Sequence, residues 1–116
     1  MVKQGDIVWL DFDPQTGHEQ KGRRPALVVS NSTFGKIMSG RMAMICPITN
    51  TNRSFPLQVE LPQSNTATGV IMCEQAKVLD IKARNAEKFD EVSEEVLNDV
   101  LDIISNIISK ENNVEF

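Results

Sequence analysis

A chain of 116 residues, 41% hydrophobic and 24% charged, carries apolar material for one core but not two, which excludes a disordered chain and a multidomain one. No apolar stretch approaches the ~20 residues of a membrane-spanning helix, so no membrane association is expected. The formal charge of −4 argues against a polyanion partner, but eight acids and one base fall within 90–116 while 1–89 holds eleven bases and eight acids, so a mildly basic body permits one.

The opening Met-Val-Lys-Gln-Gly-Asp has no apolar stretch of the kind a signal peptide needs and runs straight into a strand. That strand is read in Ile7 to Leu10, β-branched and aromatic, within Asp6–Asp13. Asp13-Pro14-Gln15-Thr16-Gly17 supplies turn chemistry. A polar loop from His18 to Arg24 follows, with Lys21, Arg23 and Arg24 inside four positions. Pro25 closes it. Ala26 to Ser30 reads as a second strand, an apolar run buried on both sides or central in a sheet. Asn31 to Gly40 is a loop, with room for one helical turn around Phe34. Arg41 to Ile48 is a third strand. Pro47 cannot sit within a fully paired ladder and implies an edge or a bulge just before Thr49.

Thr49 to Ser54 is an exposed loop. Residues 56–61 alternate, with Leu57, Val59 and Leu61 on one face and Gln58 and Glu60 on the other, the pattern of a half-buried strand. Two short strands follow at 69–73 and 76–79, separated by Glu74-Gln75. The period then becomes helical over 93–109, with Val96, Leu97, Val100, Leu101, Ile104, Ile107 and Ile108 in one stripe. Ser93 is the expected N-cap, and Val92 with Leu97 the expected hydrophobic staple. Several short strands and one terminal helix predict a mainly β protein, α+β in a loose sense. The expectation is a small barrel with an amphipathic C-terminal helix, one domain over 1–110 and a flexible tail over 111–116.

Chemistry has few places to reside. There is no glycine-rich phosphate loop and no metal-ligand spacing. The lone histidine, His18, has no G-x-S-x-G serine to serve. Cys46 and Cys73 each lie in an apolar run and read as reduced thiols of a cytoplasmic protein. What remains is the arginine-bearing loop 17–25, Thr49 at a strand end, and Glu74-Gln75. Guanidinium groups can hold a phosphate bidentately, though adjacent arginines more often form a solvated surface. A polar pair interrupting an apolar segment must find hydrogen bonds.

The ordered set G-D-I-V-W-L-D-F-D-P, G-H-E-Q-K-G-R-R-P-A-L-V-V-S, C-P-I-T at 46–49 and C-E-Q-A-K-V-L-D at 73–80 resembles the MazF/PemK family of toxin endoribonucleases over nearly the whole chain. The resemblance implies an SH3-like barrel that forms homodimers. It implies sequence-specific cleavage of single-stranded RNA, usually mRNA, without metal or other cofactor, and inhibition by a cognate antitoxin. The family's catalytic arginine falls on Arg24 and its catalytic threonine on Thr49. Glu19 and Gln20 match the loop pair lining the RNA site, and Gln75 matches the later polar pair. Arg84 lies where the family often carries a base. His18 stands where serine is common, and Arg23 is an extra base; both join the substrate-binding set. The implied reaction is attack by the RNA's own 2′-hydroxyl, leaving a 2′,3′-cyclic phosphate and a 5′-hydroxyl. Two other classes compete: a gyrase-poisoning toxin of the CcdB type, which needs neither Arg24 nor Thr49, and an SH3-like module that binds RNA or protein.

Overall fold

A computed structural model describes residues 1–12, 22–51 and 55–111. Among these residues seven strands, two helices and a short 3-10 turn succeed one another. They are β1 (Asp6–Asp11), β2 (Arg23–Val28), α1 (Ser32–Ile37), β3 (Met42–Thr49), β4 (Gln58–Glu60), β5 (Val70–Met72), the turn Cys73–Gln75, β6 (Lys77–Asp80), β7 (Glu87–Glu91) and α2 (Glu94–Ile107). The sequence places most of these. It misses β7, whose Glu-Lys-Phe-Asp-Glu carries one apolar residue, and it begins β2 too late. Arg23 and Arg24 belong to the strand, paired with Asp11 and Leu10 of β1. The helical turn at Phe34 is α1, capped by Asn31, whose side-chain oxygen accepts the Phe34 N–H at 3.0 Å.

The strands form one antiparallel sheet in the order β4-β5-β3-β2-β1-β7, with β6 also paired to β3. This corrects the expectation of a mainly β, SH3-like barrel. The architecture is mixed α/β with an open sheet, because no ladder joins its ends, β4 and β7, among the described residues. Closure fails for two reasons. β4 and β5 are three residues each, too short to curl around a core, and the helix α2 covers the apolar face instead. The Asp90 side chain of β7 links the two ends, accepting from the Asn65 amide at 3.0 Å and the Ala67 N–H at 2.8 Å, both in the β4–β5 connection.

Strand alternation gives the sheet two buried faces. Ile7, Leu27, Cys46, Ile48 and Ile71 lie on the face covered by Val96 and Val100 of α2. Val8, Leu10, Ala26, Val28, Ala43 and Ile45 occupy the other, with Ile81 over them. Burial on both faces explains the continuous apolar run in β2. The helix begins as expected, with the Ser93 hydroxyl accepting the Val96 N–H at 3.2 Å. The staple side chains Val92 and Leu97 meet over Gly5. Cys46 and Cys73 are buried free thiols. Among the described residues no helix is long and apolar enough to cross a membrane.

Pro47 sits where β3 changes partners. On one side β3 keeps β2 throughout Ile45–Pro47. On the other, Met42–Ile45 pair with β6 and Ile48–Thr49 with β5. The Met44 carbonyl accepts from Val29 at the end of β2, so by alternation the Pro47 nitrogen faces the other side, into the gap between β6 and β5. A residue without an N–H therefore fits there without breaking a bond. The anticipated irregularity before Thr49 is this fork rather than an edge.

Candidate active site

The β2–β3 ladder pairs Ala26 with Pro47, Leu27 with Cys46 and Val28 with Ile45. Continued two positions outward, the same register sets Arg24 opposite Thr49. Arg24 shares its face with Ala26 and Val28, and Thr49 shares its face with Ile45, so the two side chains emerge on the same side of the sheet. β5 and β4 extend this row. Thr49 pairs with Val70, and Val70 with Glu60; in the adjacent row Met72 pairs with Gln58.

These positions surround a cavity of about 500 Å3 lined by Arg24, Thr49, Thr51, Phe55, Gln58, Met72, Glu74 and Gln75. It lies on the face opposite α2, so the acidic helix stands on the far side of the sheet from it.

Each wall has a local cause. β5 ends at Met72, and the 3-10 turn Cys73–Gln75 carries Glu74 and Gln75 across the fork where β3 has no partner. Cys73 anchors this turn in the core. The N–H of Gln58 donates to the Phe55 carbonyl at 3.0 Å, closing a turn with Pro56 as its second residue and holding the half-exposed Phe55 ring next to Gln58. Gly69 approaches Thr49 so closely that a β-carbon would lie 2.9 Å from the Thr49 carbonyl carbon, and its φ of +113° is open to glycine almost alone. The Thr49 hydroxyl oxygen accepts the Thr51 N–H at 3.2 Å, which leaves its own proton available for donation into the cavity. Asn50, next in the chain, is held by the Thr68 hydroxyl at 2.9 Å.

Among the described residues, Gln58 Oε1 and Glu74 Oε1, on two side chains of the cavity wall, are sealed from solvent and accept no hydrogen bond. An unsatisfied buried acceptor costs about 1–3 kcal/mol.

Of the residues singled out by sequence, Arg24, Thr49, Glu74 and Gln75 meet at the cavity. His18, Glu19 and Gln20 lie outside the described residues. Arg23 and Arg84 gather elsewhere, at the end of β1. Arg23 donates to Asp11 Oδ1 at 3.0 Å, to Glu87 Oε1 at 3.1 Å and to the Asn85 carbonyl at 3.1 Å. Arg84 Nη1 donates to the carbonyls of Asp11 at 3.0 Å and Phe12 at 2.8 Å. The Asn85 amide beside Asp11, with the Arg23 guanidinium, holds that carboxyl below its ordinary pKa. Phe55, Gln58, Met72 and Thr51 are lining residues that sequence reasoning passed over. Only the polar face of the 56–61 alternation pointed to one of them, Gln58. Among the described residues no group of three or more His, Cys, Asp or Glu side chains is arranged to hold a metal ion.

The sequence profile of PemK-like, MazF-like toxins of type II toxin–antitoxin systems matches residues 3–108. The endoribonuclease PemK of Escherichia coli is 33% identical over 112 residues, covering 93% of this chain and 83% of that protein. The endoribonuclease toxin MazF of Escherichia coli K12 is 36% identical over 93 residues, covering 80% and 81%. In the crystal structure of a MazE–MazF complex from Deinococcus radiodurans, one chain superposes with a TM-score of 0.83 at 31% identity, over 95% of this chain and 98% of that one. A match over nearly all of the chain, in sequence and in fold, makes it a member of the PemK-like, MazF-like toxin family of type II toxin–antitoxin systems.

Proposed function

We propose that this chain is a metal-independent endoribonuclease toxin acting in the cytoplasm, which cuts single-stranded RNA, mRNA above all, at preferred sequences. The observation that carries the reading is the meeting of Arg24, from β2, and Thr49, from β3, at one cavity. Family membership and relatives that are endoribonucleases support it further.

RNA supplies its own nucleophile. The 2′-oxygen attacks the adjacent phosphorus, its proton leaves, and the 5′-oxygen departs with a proton, giving a 2′,3′-cyclic phosphate and a 5′-hydroxyl. Charge accumulates on the non-bridging oxygens of the pentacoordinate phosphorane. Arg24 answers that charge with a bidentate, permanently protonated fork. A guanidinium gives up its proton too reluctantly to serve as a proton carrier, so electrostatic stabilisation is the role of Arg24 in this reading. Thr49 donates its hydroxyl proton to a phosphate oxygen, one of its two lone pairs being engaged by the Thr51 N–H. Gln75 lines the same cavity and contacts the substrate strand. His18, Glu19, Gln20, Arg23 and Arg84 complete the substrate-binding set in this reading.

Two copies are expected to form the working toxin, silenced by a cognate antitoxin. The MazE–MazF complex of a relative supports the second expectation. Incubation of the purified chain with a mixed RNA pool in excess EDTA tests the proposal. Fragments ending in cyclic phosphate are expected. RNA that stays intact, or cleavage that EDTA abolishes, overturns the reading.

A further inference from the structure

We propose that Arg23 and Arg84 are positioning residues. With Asp11 and Asn85 they lock the projecting ends of β1 and β2, and through that lock they hold Arg24 at the cavity without touching RNA. The inference rests on the endoribonuclease reading and says how these two arginines serve the substrate-binding set.

Arg24 stands on a projection of the sheet. Among the described residues, the ladder from β2 to β3 ends at Ala26–Pro47, and the ladder from β1 to β7 ends at Trp9–Glu87. Beyond both ends, only β1 and β2 stay paired there, through Leu10–Arg24 and Asp11–Arg23. Two strands alone are marginally stable in water. Leu10 and Phe12 pack one face of this ribbon against the core. By alternation Asp11 and Arg23 lie on the other face, where polar groups hold it.

These groups come from a turn with little freedom. Asp80 Oδ1 accepts the Ala83 N–H at 2.9 Å, and the Ala86 N–H donates to the Ile81 carbonyl at 3.0 Å. Between them Asn85 takes the left-handed conformation, φ +56°, which asparagine tolerates better than most residues. The Arg84 carbonyl accepts the Asp11 N–H at 2.9 Å, while Arg84 Nη1 donates to the carbonyls of Asp11 and Phe12. The Asn85 amide donates to Asp11 Oδ2 at 2.8 Å. Arg23 completes the circuit from β2, donating to Asp11 Oδ1, the Asn85 carbonyl and Glu87 Oε1. Acceptors on separate segments suit a planar guanidinium fork and not the point charge of a lysine. Arg24 is the next residue, and a misplacement of about 1 Å at a catalytic group can cost on the order of 100-fold in rate.

Asp11→Ala and Arg23→Lys test the lock against direct phosphate contact by Arg23. If Arg23 grips phosphate, Arg23→Lys keeps the charge and most of the cleavage. Asp11→Ala then frees Arg23, removes a negative charge and tightens binding of a hexanucleotide carrying 2′-fluorine, which lacks the nucleophile. The lock predicts otherwise. In both variants kcat on a fluorogenic RNA should fall roughly 10–100-fold with KM within about threefold, and binding of the fluorinated hexanucleotide should not tighten. The double variant should be no slower than the slower single one, because both substitutions break one network. Exchange of the Asp11 and Phe12 amide hydrogens should quicken in both variants while that of the α2 amides does not. An undiminished kcat in either variant, additive losses in the double variant, tighter binding by Asp11→Ala, or unchanged exchange at Asp11 and Phe12 overturns the proposal. The exchange measurement needs no RNA, so it separates the lock from the reading it rests on. Unsubstituted protein that cuts no RNA refutes the nuclease, and the lock then stands or falls on exchange alone.

Discussion

Arg24 of β2 and Thr49 of β3 line one cavity on the side of the sheet away from α2, each two positions beyond the Ala26–Pro47 pair that ends the ladder between the two strands. A guanidinium and a hydroxyl thus share one cavity, with the Thr51 N–H donating to one of the hydroxyl's lone pairs. Arg24 is exposed, so Arg24→Ala should leave the thermal unfolding curve unchanged while abolishing cleavage. Thr49→Ala should lower the rate by roughly 10–1000-fold, the scale of one lost transition-state donor. Cleavage of a fluorogenic RNA by both folded variants measures this; wild-type rates in either would remove that residue from the mechanism.

Gly69 is the position where the backbone behind Thr49 tolerates no side chain. Gly69→Ala forces a strained φ and a collision with the Thr49 carbonyl, which together should cost at least about 2 kcal/mol. Because Thr49 must move, cleavage should fall further than the lost stability explains. Urea denaturation and a cleavage assay at a temperature where the variant is fully folded separate the two effects. Full activity with unchanged stability would contradict the close approach.

The link between the sheet's two ends is acid-sensitive. Burial raises the Asp90 pKa, but the Ala67 N–H, the Asn65 amide and the Glu91 N–H outweigh it and hold the carboxyl below its ordinary value. A carboxylate with a depressed folded pKa contributes stability that is present above its unfolded pKa of about 3.9 and is lost as pH falls through the folded value. Asp11, held low by the Asn85 amide and Arg23, and Asp80, held low by the Ala83 N–H, act in the same direction. The urea midpoint should therefore drop between pH 6 and pH 3. Asp90→Asn should start lower at pH 6 and fall less steeply. Parallel slopes for wild type and variant would show that Asp90 is not one of the titrating links.

How much of this was legible in the sequence depends on the range of the interaction. Alternation at 56–61, the apolar run of β2 and the stripe of α2 are local patterns, and each marks an element that forms, although β4 keeps only Gln58–Glu60, β2 starts at Arg23, and Ile107 and Ile108 at the end of the stripe stay exposed. β7 is not local. Its one apolar residue, Phe89, stacks on Trp9 of β1 with ring centroids 4.6 Å apart, and that partner lies eighty residues away in the chain. The open sheet likewise depends on long-range pairing that no local period encodes. At the site, Arg23 and Arg24 are neighbours that sequence could not tell apart. Strand alternation sends one to Asp11 and Glu87 and the other to the cavity. Gln58 reads as a solvated polar position until the fork at Pro47 turns its face into a cavity wall.

The two thiols should be inert in the folded chain. Burial pushes Cys46 up to about 12 and Cys73 up to about 11, so neither forms a thiolate near neutral pH. A chromogenic disulfide reagent at pH 7.5 should label neither in native buffer and both in denaturant. Rapid labelling of the native protein would mean that the core around the 3-10 turn opens readily, and with it the cavity wall that carries Glu74 and Gln75.

Assembly is the remaining prediction, and it rests on surfaces the single chain leaves uncovered. Ile107 and Ile108 at the end of α2 are 50% and 77% exposed, and Val78 on β6 is 40% exposed. Among the described residues β6 pairs with β3 alone, which leaves its outer edge with the unpaired backbone groups that natural sheets usually cover. A two-fold contact would cover such surfaces in both copies at once and set two cavities on one assembly. An extended RNA, or an acidic antitoxin segment mimicking it, could then span more positive surface than one cavity presents. Sedimentation equilibrium at micromolar concentration should give about 26 kDa, twice the 13.0 kDa chain. Ile108→Asp should weaken the assembly if the end of α2 lies in the contact, and Val78→Asp if the β6 edge does. A monomer that cleaves RNA at the full rate would show that one cavity suffices, and would confine the antitoxin's action to that cavity.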